Sequence, residues 1–334
     1  HRGLVGLDVG STSVKLVELS GEPGSFMLEN IAVVAVPEGA SSSAYEQAIS
    51  LVLEGKELQT ERVATSISGR KVAVRGMRFP VLAEKELEGA IRYEGSQVIA
   101  FDIDDSYADH CVLKSPDCGA QSMDVLFIAA RKEAVDGRTS LLESTGLEPR
   151  VVGVDALVLL DALLERDELP ETFGVVNMGA SNTSIGITRA DAVPFVRDID
   201  IAGISYTEEI AAALSIELDE AEKLKITGIE KEPEAYRAVE MVTRRLVKEL
   251  SRSLIYYQTR NNDSPVTELF LCGGASGLAG VKESIAEMLN VKVTNWSPLE
   301  YVSIDDARFD AEAVKKLSPV TSLAAALAMK QDPN

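Results

Sequence analysis

Residues 4–19 read LVGLDVGSTSVKLVEL, and the rest of the chain is organised around them. Two apolar runs rich in Val and Leu flank the polar DVGSTS, the pattern of a strand, a tight turn and a returning strand. Asp8 places a carboxylate at the end of the first strand. Gly10 lets backbone N–H groups approach a ligand without a Cβ, and Ser11 and Thr12 add hydroxyl donors. Lys15 can neutralise phosphate charge, and Asp8 can hold a magnesium ion through water, as hard cations with phosphate ligands prefer. A single D-x-G-S/T turn is most often only a turn. Here the design recurs at 173–188, FGVVNMGASNTSIGIT, again an apolar strand, a polar Gly- and Ser-bearing turn and an apolar strand. Aligning the turns sets Asp8-Val9-Gly10-Ser11 against Asn177-Met178-Gly179-Ala180, so the second copy keeps its glycine and loses its acid. Ser181, Asn182, Thr183 and Ser184 supply side-chain donors instead.

A third stretch, LFLCGGASGLAGVKESIAEML at 269–289, predicts a buried strand, a Gly-Gly turn and a helix whose N-terminus favours phosphate. The bulk properties agree with a nucleotide site on an otherwise acidic body. The 334 residues suffice for two or three domains with sizeable cores. A formal net charge of −20 opposes binding to nucleic acid or to an anionic membrane surface, so a bound polyanion needs a local cationic pocket. No run of about eighteen apolar residues is present, so no spanning helix is expected. Cys111, Cys118 and Cys272 fit neither a disulfide framework nor a zinc spacing, and a reducing cytoplasm is the expected compartment. With His1 and His110 the only histidines, a histidine-based site is not expected, and the opening at His1 leaves room for a native leader ahead of it.

Between these motifs the chain reads as α/β. A strand at 31–36, a helix at 45–58 and a strand at 63–67 follow the first hairpin. From 71 the order becomes strand (71–79), helix (84–98), strands (107–113 and 123–130), helix (133–145) and a strand near Val151. That β-α-β-β-α-β order can close as a small inserted unit over about 71–152, with 115–121 as its exposed hairpin tip. The stretch 155–166, DALVLLDALLER, is too apolar for a surface and is expected between domains. Residues 201–214 predict a glycine loop and a helix capped by Ser205 or Thr207, with acids in its first turn. Glu222 and Lys225 fall on one face of a following helix. A long charged helix at 233–260 and a small-residue helix at 322–329 complete the reading.

Two echoing hairpins and a Gly-Gly turn, spaced near residues 8, 177 and 273, resemble the actin, Hsp70 and sugar-kinase superfamily of ATP-binding proteins. That resemblance implies two lobes closing over a nucleotide, with the apolar helices as hinge. Within it, GLDVGSTSVKLVEL, AIRYEGSQVIAFDID, LLESTGLEPRVVGVDAL, NMGASNTSIGI, SYTEEIAAAL with AEKLKITG, and LCGGASGLAGV are similar to the type IV pilus assembly PilM family, an FtsA-like branch. Ala100 departs from the proline usual there. The implied division is subdomain IA at 1–70, completed by 153–168 and 319–334, and an FtsA-type inserted subdomain IC at 71–152. Subdomain IIA takes 169–206 and 266–318, and IIB takes 207–265.

The resemblance further implies ATP or ADP with Mg2+ as ligands. Asp8, Gly10, Ser11, Thr12 and Lys15 would form the first phosphate loop, and Gly179, Ala180, Ser181 and Asn182 the second. Glu222 and Lys225 would flank the ribose or adenine, or form a simple surface ion pair. Gly273, Gly274, Ala275 and Ser276 would hold the adenosine side, or form only a tight turn. Asn177 stands where the superfamily commonly has an aspartate that helps to hold magnesium or order water, so hydrolysis is expected to be slow or absent. Asp155 either orients the attacking water or caps its helix. The implied role is a scaffold of the pilus inner-membrane platform. It would be cytoplasmic, peripheral to the membrane through the N-terminal cytoplasmic tail of a PilN-like bitopic protein, and in contact with other platform components. Ile91, Val98, Ile99 and Phe101 are candidates for the tail's groove. An active ATPase or small-molecule kinase, and an FtsA-like polymerising division protein that self-associates, remain alternatives.

Overall fold

The computed structural model describes residues 3–37, 39–113, 121–189, 192–261 and 264–333. His1, Cys118 and all of the expected 115–121 tip except Gln121 lie outside them. The first lobe is built by β1 (Val5–Val9), β2 (Ser13–Ser20), β3 (Met27–Ala35), α1 (Ser42–Leu53) and β4 (Arg62–Ile67). An insert comes next, of β5 (Val72–Pro80), α2 (Glu84–Val98), β6 (Ser106–Leu113) and β7 (Ser122–Arg131). The chain then returns through α3 (Lys132–Glu143), β8 (Glu148–Val154) and α4 (Asp155–Leu163). The second lobe contains β9 (Thr172–Met178), β10 (Thr183–Arg189), β11 (Phe195–Ile199), α5 (Gly203–Leu214), α6 (Leu218–Thr227) and α7 (Pro233–Arg260). It closes with β12 (Glu268–Cys272), α8 (Val281–Leu289) and β13 (Lys292–Asn295), and α9 (Ala311–Ala328) ends the fold.

Two five-stranded sheets carry matching orders, β3-β2-β1-β4-β8 and β11-β10-β9-β12-β13. In each, an antiparallel hairpin sits beside a parallel strand pair: β1 with β2 and β4, β9 with β10 and β12. The sequence echo between the hairpins is therefore an echo between whole sheets. The stretch expected between domains is α4, whose Val158, Leu159 and Leu160 are buried beside Leu323 and Leu327 of α9. Both sheets meet this layer, Leu4 and Ala64 from the first, Phe173, Val175 and Phe270 from the second. On the far face of the first sheet, Val5 and Leu7 pack on Ile49 of α1 and Leu142 of α3. The 28-residue α7 turns Ala235, Val239, Val242, Leu246 and Leu250 towards α5 and its sheet, a 3–4 spacing that buries one stripe and leaves its charges in solvent.

Three expectations are corrected. The strand near Val151 is not part of the insert: β8 pairs in parallel with β4 in the first sheet. The insert's own sheet is β5-β7-β6, and Val154 at the end of β8 packs against its Val74 and Leu126 from outside. Helix α5 is flanked by Ala202 rather than capped by Ser205 or Thr207, and no acid lies in its first turn. The Ser205 hydroxyl instead accepts from the Ala202 amide, reaching back 3.3 Å from the third position. The small-residue helix begins well before residue 322, at Ala311, and runs on through Pro319.

Candidate functional site

The turns of both hairpins, the Gly-Gly turn and the start of α5 converge on one cleft of about 780 Å³ between the lobes, within the usual size of small-molecule sites. Asp8 and Lys15 are directly opposite across β1 and β2 and form an ion pair of 3.0 Å, with side chains only 15% and 10% exposed. A Cβ on Gly10 would meet the Lys15 ammonium at 2.7 Å, so glycine is what lets that ammonium lie against the loop. The loop closes on itself where Gly10 N–H donates to Ser13 O, and it is pinned from outside where Val36 N–H donates to Thr12 O and the Tyr45 hydroxyl to Ser11 O.

In the second hairpin Gly179 N–H donates to Asn182 O. The turn's own carbonyls, of Gly179 and Ala180, accept from Gly203 and Ile204 at the start of α5. The Asn182 amide donates towards Ser68 Oγ at 3.4 Å and Asp198 Oδ1 at 3.3 Å, while Asp198 Oδ2 accepts from Gly69 N–H at 2.7 Å. The contacts to Ser68 and Gly69 cross from one lobe to the other. Glu222 and Lys225 form an ion pair of 2.5 Å, and Lys225, 9% exposed, also donates to Gly203 O and Thr207 Oγ1. The pair is thus fastened to the base of α5 rather than standing alone on the surface.

The Gly-Gly turn differs from expectation. Gly273 has φ +91°, and a Cβ there would meet Asn177 Oδ1 and Met178 O, each at 2.5 Å. Its N–H donates to Pro319 O of α9. The chain continues into a 3-10 turn over Gly274–Gly277, not the N-terminus of an α-helix, and α8 begins only at Val281. The Ser276 hydroxyl is buried and donates back to Gly273 O at 2.7 Å, so it braces the turn and is not part of the cleft wall. Gly273, Gly274 and Ala275 do line it.

Asp155 is the first residue of α4, and Val154 flanks the helix with no side-chain cap. The carboxyl faces the cleft. Burial, and after it the charge of Asp8, pushes its pKa up to about 6, while hydroxyls of Ser66 and Ser68 donate to it and pull the other way. Asn177 lines the same wall, its Oδ1 accepting a 3.9 Å contact from the Cys272 thiol, whose pKa burial pushes up. Among the described residues no cluster of three or more His, Cys, Asp or Glu is arranged to hold a metal by direct ligation. Sequence reasoning missed Tyr45, Ser66, Ser68, Lys71, Arg138 and Gly203, all of which line the cleft. Gly203 was legible as part of a glycine loop ahead of a helix; the others reach the cleft only through tertiary packing.

The insert does not gather the four groove candidates. Ile91, Ile99 and Phe101 pack into its own core with Phe79, Val125 and Phe127, whereas Val98 is 40% exposed. A smaller cavity of about 480 Å³ beside α2 and β6 is lined by Ile91, Ile103 and Phe127, with Lys85, Arg92 and Asp109 at its polar wall.

Known proteins resemble this chain in sequence and fold. The family described as type IV pilus assembly protein PilM matches residues 6–332. The chain belongs to the PilM family. A solved "PilM-PilN type IV pilus biogenesis complex" is 30% identical over 99% of both chains, with a TM-score of 0.87. Two more distant structures share the fold. The ethanolamine utilization protein EutJ from Carboxydothermus hydrogenoformans is 15% identical, over 98% of this chain and 90% of that one, at a TM-score of 0.59. MreB 5 of Spiroplasma citri, solved bound to AMPPNP, is 11% identical, over 97% and 94%, at 0.50. This PilM-family chain has the actin-like ATPase fold. Among its described residues no helix is long and apolar enough to cross a membrane.

Proposed function

We propose that this chain is an ATP-binding scaffold of a type IV pilus assembly platform at the cytoplasmic face of the bacterial inner membrane. It docks the N-terminal cytoplasmic tail of a PilN-like bitopic membrane protein, and nucleotide state biases that contact by favouring one lobe arrangement. The observation that carries this reading is the 30% identity to the PilM-PilN structure along 99% of both chains. The cleft fits the nucleotide: its volume suits a ligand of that size, and Gly10, Gly179, Gly273 and Gly274 line it without side chains. The loops at Gly10–Thr12 and Gly179–Asn182 would take the phosphates. Gly273, Gly274 and Ala275 would take the adenosine side, with Glu222 and Lys225 at the ribose or adenine. Asp8 would hold Mg2+ through water, since one carboxylate paired to Lys15 is too little for direct chelation. When bound, ATP and its magnesium supply a block of charge between the lobes. Asn177 provides an amide where a carboxylate would strengthen metal binding, so turnover is expected to be slow.

The test is binding of the synthetic N-terminal tail of the PilN-like protein from the same source, by calorimetry, with and without ATP and Mg2+. Saturable one-to-one binding that changes at least threefold with ATP supports the scaffold. Absence of tail binding, together with steady phosphate release of order one per second or faster, would move the enzyme reading to the front.

A further inference from the structure

Four cationic side chains line the cleft, Lys15, Lys71, Arg138 and Lys225. Three are already neutralised: Lys15 by Asp8 at 3.0 Å, Lys71 by Glu133 at 3.1 Å and Lys225 by Glu222 at 2.5 Å. Arg138 is different. Its Nη1 is fully buried without a hydrogen-bond partner, and burial works against its charge. Asp8, Asp155 and Tyr45, which line the same cleft, favour that charge electrostatically. Arg138 shares one face of α3 with Ala134 and Leu141, at i, i−4 and i+3, so an otherwise small and apolar face aims one guanidinium into the space. A buried donor left unmatched destabilises a protein, and it persists where a ligand completes it. A planar five-donor fork matches phosphate oxygens, and a protein of net charge −20 needs such a local cation to admit a polyanion.

The helix carrying Arg138 has a second attachment. Strand β7 ends at Arg131 and α3 begins at Lys132 with no loop between them. Lys132 donates its backbone N–H to Asp105 O at 2.9 Å and its ammonium to Asp104 O at 2.7 Å. The Tyr107 hydroxyl on β6 donates to Asp136 Oδ1 at 3.0 Å. The first turn of α3 is therefore stitched to the start of β6, about 9 Å of helix from Arg138. We infer that Arg138 is a ligand of the nucleotide's phosphate chain and that its engagement ties the three-stranded insert to occupancy of the cleft. The inference rests on the nucleotide reading above and names the residue through which it reaches the insert.

The test compares adenosine, ADP and ATP with Mg2+ on wild type, Arg138→Gln and Arg138→Lys, by calorimetry and by hydrogen exchange. Arg138→Gln should weaken ATP about 10- to 100-fold and leave adenosine unchanged, and Arg138→Lys should recover part of the loss. In wild type, ATP but not adenosine should slow exchange at 104–110 and 132–142, and Arg138→Gln should abolish the difference. Wild type that binds neither ATP nor adenosine overturns the nucleotide reading and this inference with it. Wild type that binds ATP, with an ATP-to-adenosine ratio kept within threefold in the variants, overturns the phosphate role alone. Weakened ATP binding with unchanged exchange in the insert overturns the coupling. If Arg138→Gln fails to fold, Arg138→Lys carries the comparison, because it keeps the charge and loses the fork.

Discussion

Asp155 sets how the nucleotide-free cleft responds to pH. Its folded pKa of about 6 lies above the ordinary 3.8, so between those values the folded state binds more proton than the unfolded chain. Stability from this group is complete below about pH 4 and is lost as pH rises through 6; beyond that the ionised carboxyl costs about 3 kcal/mol. Asp155→Asn removes the titration while keeping an acceptor for the Ser66 and Ser68 hydroxyls. Thermal unfolding should show the variant gaining several degrees more over wild type at pH 7.5 than at pH 4.5; equal gains would refute this account. At this scale the sequence was informative where chemistry is local. Asp8, Gly10, Ser11 and Thr12 announce themselves in one turn, and they do lie together at the cleft. Arg138 was illegible because KEAVDGRTSLLE reads as any charged surface helix, and only the packing of α3 beside β8 and α1 turns that arginine inward. Ser276 misled in the opposite sense, since its hydroxyl serves the turn's own carbonyl.

At the scale of elements, β1 and α9 approach backbone to backbone at Gly6. A Cβ on Gly6 would lie 1.9 Å from Ala324 O and 2.5 Å from Ala328 N. Both are helix backbone atoms that no rotamer change can move. Gly6→Ala should therefore lower stability by about 3 kcal/mol or more, read as a fall in the urea midpoint with an unchanged slope. Gly10→Ala makes a useful contrast, because its Cβ would meet the end of the Lys15 side chain at 2.7 Å and only one backbone atom, Ser13 O, at a milder 3.3 Å. A cost for Gly6→Ala as small as that of Gly10→Ala would show that α9 can shift aside. Element type was readable from period and polarity for β1, β2, α4 and α7. Partner choice was not: nothing in EPRVVGV says that β8 crosses to β4. The short edge strands β11, FVRDI, and β13, KVTN, mix polar and apolar residues and carry no clean alternation. The first half of α9 was hidden by Pro319, which ordinarily marks a helix end but is tolerated here in mid-helix.

For the molecule as a whole, the layer of α4 and α9 makes the two lobes share a core. Trp296, the sole tryptophan, packs there against Phe270, with ring centroids 6.4 Å apart. Its fluorescence should follow the loss of helix measured by circular dichroism, in a single urea transition with coincident midpoints. Midpoints separated by more than about 0.5 M would mean that each lobe stands alone. The insert, with its own core of Phe79, Leu87, Val125 and Phe127, is the part free to open first in hydrogen exchange. The bare backbone contact of β1 with α9 bears on how the lobes move. Side chains between two elements act as a compliant gasket that yields by degrees, and at Gly6 there is none. A helix seated directly on a strand can turn about its line of contact but cannot be pried away without losing the seat. Opening and closing would then behave as a door on a fitted pin, with the swing confined to one axis and the far edges of the lobes travelling furthest.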